Sequence, residues 1–226
     1  MSENMDVIKV EEGEMLEIEI EEDLLKANQQ LANANRKIFD KHGVKVIDVM
    51  GSIGSGKTSI LEKLVGKLKE KYRIAVIAGD VTTTIDADRI KRHGVRTIQI
   101  NTGNECHLDA LMIRRAIKRL NLDELDIIFI ENVGNLICPA DFPLGSHKRI
   151  VVVSVTEGPY MIRKHPMIIK GADIVVINKI DLAEAMEVDV NQLIKDAKEI
   201  NPKAEVVCTN AKSGEGIDNL IKALQL

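Results

Sequence analysis

Cysteine is scarce in this 226-residue sequence: Cys106, Cys138 and Cys208 are the only three. An odd number at wide spacing is not a disulfide framework. In a reducing compartment, such residues serve metal binding or simple packing. Basic charge is not in excess either. The formal net charge is −4, which gives no electrostatic reason to expect nucleic-acid binding. No apolar run approaches the roughly 18–20 residues that span a bilayer, so no membrane segment is expected. The first residues, Met1-Ser2-Glu3-Asn4-Met5-Asp6, are acidic and lack the apolar centre of a signal peptide, which makes the cytoplasm the expected compartment. Internal repeats and low-complexity tracts are missing. Trp is absent, and Phe and Tyr number three and two. With Lys, Glu and Ile frequent, the composition leans towards a thermophilic source.

What remains is ordinary globular material. Hydrophobic residues make up 45% and charged residues 29%, and the length suits one domain with a full core. Residues 1–20 are acidic, with Leu16, Ile18 and Ile20 alternating against Glu; they read as a short edge strand or a disordered tail. Residues 21–226 read as the folded domain. Within it, Glu22 to Lys41 follows a helical period that Gly43 can cap.

From there the chain alternates. Strand-like runs are Val44–Met50, Arg73–Ala78, Val95–Ile100, Asp126–Ile130, Arg149–Val155, Asp173–Ile177 and Ala204–Cys208. Helix-like runs separate them: Thr58–Lys71, Asp86–His93, Leu108–Leu120, Pro159–Lys170, Val188–Glu199 and Gly216–Leu224. Ile127-Ile128-Phe129-Ile130 and Ile174-Val175-Val176-Ile177 are nearly all apolar, as strands of a parallel sheet covered on both faces must be. The pattern predicts a doubly wound α/β fold, its sheet mostly parallel with helices on both faces and an added N-terminal helix. Ligands then bind at the C-terminal strand ends.

The strongest motif is Gly51-Ser52-Ile53-Gly54-Ser55-Gly56-Lys57-Thr58, between a strand and a helix. It fits G-x-x-x-x-G-K-[ST], the phosphate-binding P-loop. Its glycines let backbone N–H groups curl around a phosphate, and the helix start adds partial positive charge. Lys57 is expected to reach the β- and γ-phosphates, Thr58 to ligate Mg²⁺, and Ser59 to join the loop.

Asn178-Lys179-Ile180-Asp181 fits N-K-x-D and resembles the guanine-specificity motif of P-loop GTPases. Asp181 can accept from the N1–H and N2–H₂ edge of guanine, a donor pair that adenine lacks. Asn178 is expected to brace the loop and the Lys179 stem to lie along the base. Asn210-Ala211-Lys212 resembles the S-A-K element, with the Ala211 N–H directed at guanine O6. Glu131-Asn132-Val133-Gly134 takes the place of D-x-x-G, with Glu131 approaching Mg²⁺ and the Gly134 N–H sensing the γ-phosphate. Asp80 and Asp86 are the switch I candidates, one of them facing Mg²⁺ or orienting the attacking water; each could instead cap a helix.

Cys106 and His107 are adjacent where a helix is expected to begin, which would favour the thiolate. Cys138 lies beyond Gly134. Thiolate and imidazole suit Zn²⁺ or Ni²⁺. Three ligands do not close a tetrahedral site, and neighbours on a helix diverge by about 100°. Both points favour a site shared across a symmetric dimer. His42, His93, His147 and His165 read as surface or satisfied histidines, and Cys208 as a packed strand residue.

Taken together, the residues resemble the HypB family, hydrogenase nickel-incorporation GTPases of the SIMIBI class. The resemblance covers about residues 20–226. It rests on Gly51–Thr58, Gly79-Asp80, Asp86–Ile90, Asn101-Thr102-Gly103 running into Cys106–Ala110, Glu131–Pro139, Ser154–Gly158 and Asn178–Asp181. It implies slow GTP hydrolysis with Lys57, Asp86 and Glu131 in the catalytic site, GTP-dependent homodimerisation, and nickel delivery to [NiFe]-hydrogenase. The partners it implies are a HypA-type nickel chaperone and the hydrogenase large-subunit precursor, with Cys106, His107 and Cys138 holding Zn²⁺ or Ni²⁺ at the dimer interface. Many relatives also carry an N-terminal cysteine motif or His-rich tract. Here no Cys or His precedes His42, so transfer through the interfacial site, rather than storage, is expected.

Other readings fit less well. Urease-type nickel accessory GTPases carry Cys-Pro-His, whereas Cys106 and His107 are contiguous. GTPase chaperones of cobalamin enzymes do not explain the cysteines. A small-molecule P-loop kinase needs a basic lid, which the sequence lacks. A passive metal-binding protein leaves Asp86 and Glu131 without a role.

Overall fold

The computed structural model describes residues 15–226, with side chains from Glu22 onward. Its first element is α1 (Met15–His42), a helix with no Gly or Pro to interrupt it. Gly43, at φ 66°, ends it in the left-handed conformation that suits glycine. Ala32, Asn35 and Phe39 share its buried face at helical spacing. The backbone of Met15–Ile20 is part of this helix, which corrects the expectation of a strand or tail there. A boundary at residue 20 therefore falls inside α1. Residues 1–14, the rest of the acidic segment, lie outside the described residues.

Seven strands follow: β1 (Lys45–Gly51), β2 (Ile74–Asp80), β3 (Arg96–Asn101), β4 (Ile127–Glu131), β5 (Lys148–Ser154), β6 (Ile174–Asn178) and β7 (Glu205–Thr209). They form one sheet in the order β3-β2-β4-β1-β5-β6-β7. All pairings are parallel. The apolar runs of β4 and β6 are buried along their whole length, as strands covered on both faces require. The connecting helices are α2 (Lys57–Leu68), α3 (Ile85–Lys91), α4 (Ala110–Ile117), α5 (Met161–Lys164), α6 (Pro166–Lys170), α7 (Val190–Ile200) and α8 (Ile217–Leu224).

One face of the sheet packs Ile47 and Val49 against Leu61 and Leu64 of α2 and Leu220 of α8. The other divides into two apolar clusters. Met50, Val151 and Val175 pack with α6 and α7, and Val46, Ile128 and Ile130 pack with Phe39 of α1 and Ile113 of α4. The run Pro159–Lys170, expected as one helix, is two. His165 takes φ −126° and ψ 56°, because the Pro166 ring disfavours helical backbone in the residue before it. Among the described residues no helix is long and apolar enough to cross a membrane.

The topology fixes where ligands go. β1 lies between β4 and β5, and the chain departs in opposite directions from its neighbourhood. Val49 pairs with Glu131 and Gly51 with Val152. The P-loop and the Glu131–Gly134 segment thus emerge side by side at the carboxyl end of the sheet, at the switch point of the strand order.

Candidate functional site

The P-loop runs directly from β1 into α2. Gly56, at φ 101°, is the residue before the first helical turn. A Cβ there would collide with the Asn178 side-chain amide, so only glycine lets the loop lie against the segment after β6. Lys57 is buried, and its Nζ donates to the carbonyls of Gly51 (3.0 Å) and Ser52 (2.9 Å). The ammonium therefore lies over the loop, where helix-terminal N–H groups also collect. Burial pushes its pKa down, against the pull of Glu131 and Asp86.

Two clefts open on either side of this loop. One, of about 300 Å³, is lined by Lys57, Thr58, Asp80, Asp86, Glu131 and Gly134 among others. The second, of about 470 Å³, is lined by Asn178, Lys179, Asp181, Asn210, Ala211 and Lys212. Gly56, Ser59 and Lys179 line both. Their volumes fall in the usual range for small-molecule sites, and their linings separate into a phosphate-like and a base-like half.

Asn178 ties the halves together. Its Nδ2 donates to the Ser55 carbonyl (2.9 Å), and its Oδ1 accepts from Thr209 Oγ1 (3.0 Å) and the Ala211 N–H (3.1 Å). The Ala211 N–H, expected to meet a base oxygen, is thus already bonded to Asn178. Asp181 is exposed, so a bound base must itself exclude the water that would otherwise satisfy the carboxylate. Asn210 Oδ1 accepts from the N–H groups of Lys212 and Ser213 and holds that loop closed. Lys179 adopts φ 60°, left-handed and unusual for lysine, the kind of backbone strain that gathers at ligand sites.

The other cleft is acidic opposite its lysine. Thr58 Oγ1 donates to Glu131 Oε1 (2.6 Å), and Glu131 Oε2 is buried without a partner among the described residues. Asp80 Oδ1 accepts from the N–H groups of Thr82 and Thr83. Burial draws the Asp80 pKa upward, but the Thr83 and Thr82 N–H groups outweigh it and hold the carboxyl below its usual range. Asp86 does not cap α3, whose N-cap is Thr84; it sits in the first turn, 3.7 Å from Arg89. Arg89 reaches back to Ser59 and Glu62 of α2. A hydroxyl, an orphaned carboxylate oxygen and two further carboxylates are hard oxygen donors of the kind Mg²⁺ takes.

Burial raises the Glu131 pKa to about 7, despite the Thr58 hydroxyl and the Lys57 ammonium. The folded chain therefore keeps a proton that the unfolded chain releases above the ordinary value of 4.5. The associated stability is full below that value and is lost as pH rises through about 7. Glu131→Gln stays neutral throughout. In nucleotide-free melts its Tm is expected to rise relative to wild type between about pH 5 and pH 8. A constant difference would contradict this.

Three soft donors gather nearby. The ligand atoms of Cys106, His107 and Cys138 all lie within 4.8 Å of one another. The Cys106 thiol donates to Cys138 Sγ (2.9 Å), and Cys106 Sγ is 3.9 Å from His107 Nδ1. Two expectations are corrected here. Cys106 does not begin a helix: Asp109 caps α4 by accepting from the Met112 N–H, three residues further on. The hydrogen bond to Cys138, together with burial, pushes the Cys106 thiol up rather than down. Nor do Cys106 and His107 diverge as helical neighbours would; in a bend they converge on Cys138. A single chain thus assembles all three donors, and a fourth ligand must come from elsewhere to complete a tetrahedron. Burial lowers the pKa of His107, whose ring packs on Phe142 with centroids 3.8 Å apart.

Cys138 opens a short 3₁₀ turn, Cys138–Ala140. The segment before it touches both centres. The Asn135 N–H donates to the Gly51 carbonyl (3.1 Å), and its Nδ2 to the Cys106 carbonyl (3.4 Å). A Cβ on Gly134 would collide with Ile53 of the P-loop, so this segment and the P-loop are in direct contact. Asn132, Asn135 and Glu157 were not assigned roles from sequence. Glu157 accepts from Ser52 Oγ and from the Ser154 N–H. The signal for the asparagines was their placement on either side of Gly134. The remaining histidines stand apart from the cluster: His147 accepts from the Val46 N–H and faces Asp40, and His42 faces Asp123.

Comparison with known proteins places the chain among relatives. The family model for the CobW/HypB/UreG nucleotide-binding domain matches residues 45–208. A protein of Methanocaldococcus jannaschii, named a probable hydrogenase maturation factor HypB, is 56% identical over 208 residues, covering 92% of this chain and 94% of that protein. The crystal structure of hydrogenase maturation factor HypB from Archaeoglobus fulgidus is similar with a TM-score of 0.83 and 43% identity, covering 88% of this chain and 98% of that one. The crystal structure of HypB from Helicobacter pylori in complex with nickel gives a TM-score of 0.83 at 36% identity, covering 88% and 94%.

Proposed function

The chain belongs to the CobW/HypB/UreG family and, within it, to the hydrogenase maturation factors HypB; on that premise we propose that it is a GTP-hydrolysing metallochaperone that hands nickel on during [NiFe]-hydrogenase maturation. The observation that carries this reading is Asn135, whose backbone touches the P-loop at Gly51 and whose side chain touches the Cys106 loop. A nucleotide centre and a soft-metal centre thus share one segment. That a HypB structure is titled as a complex with nickel supports nickel as the cargo.

In this account the triphosphate lies in the Lys57 cleft and the base in the Asp181 cleft. The P-loop N–H groups bind the phosphates, and Lys57 stabilises the charge that develops on the γ-phosphoryl oxygens. Thr58 and Glu131, with Asp80 or Asp86, hold Mg²⁺, which when bound neutralises phosphate charge. Asp86 orients the attacking water. The Gly134 N–H meets the γ-phosphate, so its loss releases the segment that carries Cys138. The nucleotide-bound form is a homodimer in which the three soft donors of each protomer come together and hold Zn²⁺ or Ni²⁺. A HypA-type chaperone supplies the metal and the hydrogenase large-subunit precursor receives it.

Guanine selectivity is the part of this account that a single substitution tests. Asp181→Asn removes a charged acceptor of two hydrogen bonds and is expected to weaken GTP binding by at least about 100-fold. ATP binding, which never used that carboxylate, stays as weak as before. Calorimetric titration with both nucleotides reads the result; equal GTP affinity in the variant would contradict the assignment.

A further inference from the structure

Beside the Cys106–His107 and Cys138 loops the core holds a buried carboxylate that lines neither nucleotide cleft. Asp48 sits in the middle of β1 and is fully buried, with Val46 and Met50 as the next residues on its face of the sheet. Those two belong to different apolar clusters, so Asp48 marks the seam between them. Its Oδ1 accepts from Asn132 Nδ2 (3.3 Å), and its Oδ2 has no partner among the described residues. Arg149 of β5 stands opposite it in the parallel register, and Arg149 Nε is also buried without a partner among the described residues. Two such groups side by side in a core are costly, and their retention calls for a reason.

Each neighbour of Asp48 grips one metal loop. Asn132 Oδ1 accepts from the N–H of Leu108, the residue after His107 (3.1 Å). Arg149 Nη2 donates to the carbonyl of Pro139, the residue after Cys138 (2.8 Å), and to that of Ala140 (3.4 Å). We propose that Asp48, Asn132 and Arg149 form one buried linkage that sets the spacing of Cys106 and His107 from Cys138, with Asp48 the positioning residue that keeps the other two on those backbone groups. This rests on the reading of the three soft donors as the ligands of the cargo metal. Burial raises the Asp48 pKa to about 6, while the charge of Arg149 pulls it down. Hydrogen bonds behind metal ligands fix their orientation, and here they act through the backbone of the ligand loops.

The test is Ni²⁺ titration of the full chain without nucleotide, on wild type, Asp48→Asn, Arg149→Met, the double variant and Cys106→Ala. Asp48→Asn is isosteric and keeps an acceptor for Asn132, so it separates the charge from the fold. Each single change is expected to weaken Ni²⁺ binding by about tenfold, as loss of support behind ligands does. The double variant is expected to bind no more weakly than the weaker single, because both act through one linkage. The nickel–thiolate absorption per bound ion shifts in the variants, which general destabilisation would not cause. GTPγS affinity, measured without metal, stays within about twofold of wild type, because neither Asp48 nor Arg149 lines the nucleotide clefts. Wild-type Ni²⁺ affinity in both single variants, or losses that add in full, would overturn the linkage. If Cys106→Ala abolishes binding while the Asp48 and Arg149 variants bind normally, the linkage alone fails. If Cys106→Ala binds normally, the ligand reading fails and takes the linkage with it.

Discussion

Replacing Lys57 with alanine is expected to lower GTP turnover by about a thousandfold, the usual cost of removing one preorganised charge-stabilising donor. Lys57 is the only lysine in the P-loop sequence and sits, buried, at the start of α2. Its ammonium is held by the Gly51 and Ser52 carbonyls, so it is positioned before any phosphate arrives. Phosphoryl transfer involves little covalent chemistry by the protein, and positioned charge carries most of the acceleration. Arg89 cannot substitute, because it is engaged with Ser59 and Glu62. Single-turnover hydrolysis at saturating GTP separates this loss from weaker binding. A fall of less than about tenfold would show that Lys57 does not contact the transferred group.

Cys106→Ala is expected to weaken Ni²⁺ and Zn²⁺ binding by more than about 100-fold, beyond the upper end of what changes behind a ligand cost. The cluster has three donors within 4.8 Å, so losing one thiolate leaves an imidazole and a single sulfur, too few for a tight soft-metal site. The fold should not suffer, since Cys106 is exposed and lies in a bend between β3 and α4. Metal competition against a chelator of known affinity reads the change directly. Unaltered affinity would mean that the metal is bound elsewhere on the chain.

The alternation of apolar runs with helical periods gave the α/β class and located each strand to within about a residue or two. Ile127–Ile130 and Ile174–Ile177 were unambiguous because buried parallel strands have no polar face. The strand order was not legible, since it depends on long-range pairing. Leu16, Ile18 and Ile20 misled through their alternation; the backbone there continues the helix that Asn35 and Phe39 anchor further along. Cys106 misled through nearness to a helix, although Asp109, a better N-cap, lies three residues later. The P-loop and the N-K-x-D segment could be read because their chemistry is written in contiguous residues. Asn28 and Asn35 could not. They lie one heptad apart on the buried face of α1 and bond the backbone at Ala110, Pro143 and Leu144. In sequence they look like polar residues of a surface helix, and only the packed structure shows that they hold the segments beside the Cys106 and Cys138 loops. Asp48 was hidden for the same reason: one acid in an apolar strand carries no pattern.

The central claim is that nucleotide and metal are read by one assembly. Size-exclusion light scattering in GTPγS–Mg²⁺, in GDP and without nucleotide, with bound Ni²⁺ and Zn²⁺ measured in each peak, tests it most directly. The expected result is a dimer with GTPγS that carries metal at the Cys106 cluster, and a monomer otherwise. A monomer in all three states, or metal content indifferent to nucleotide and to Cys106, would contradict it.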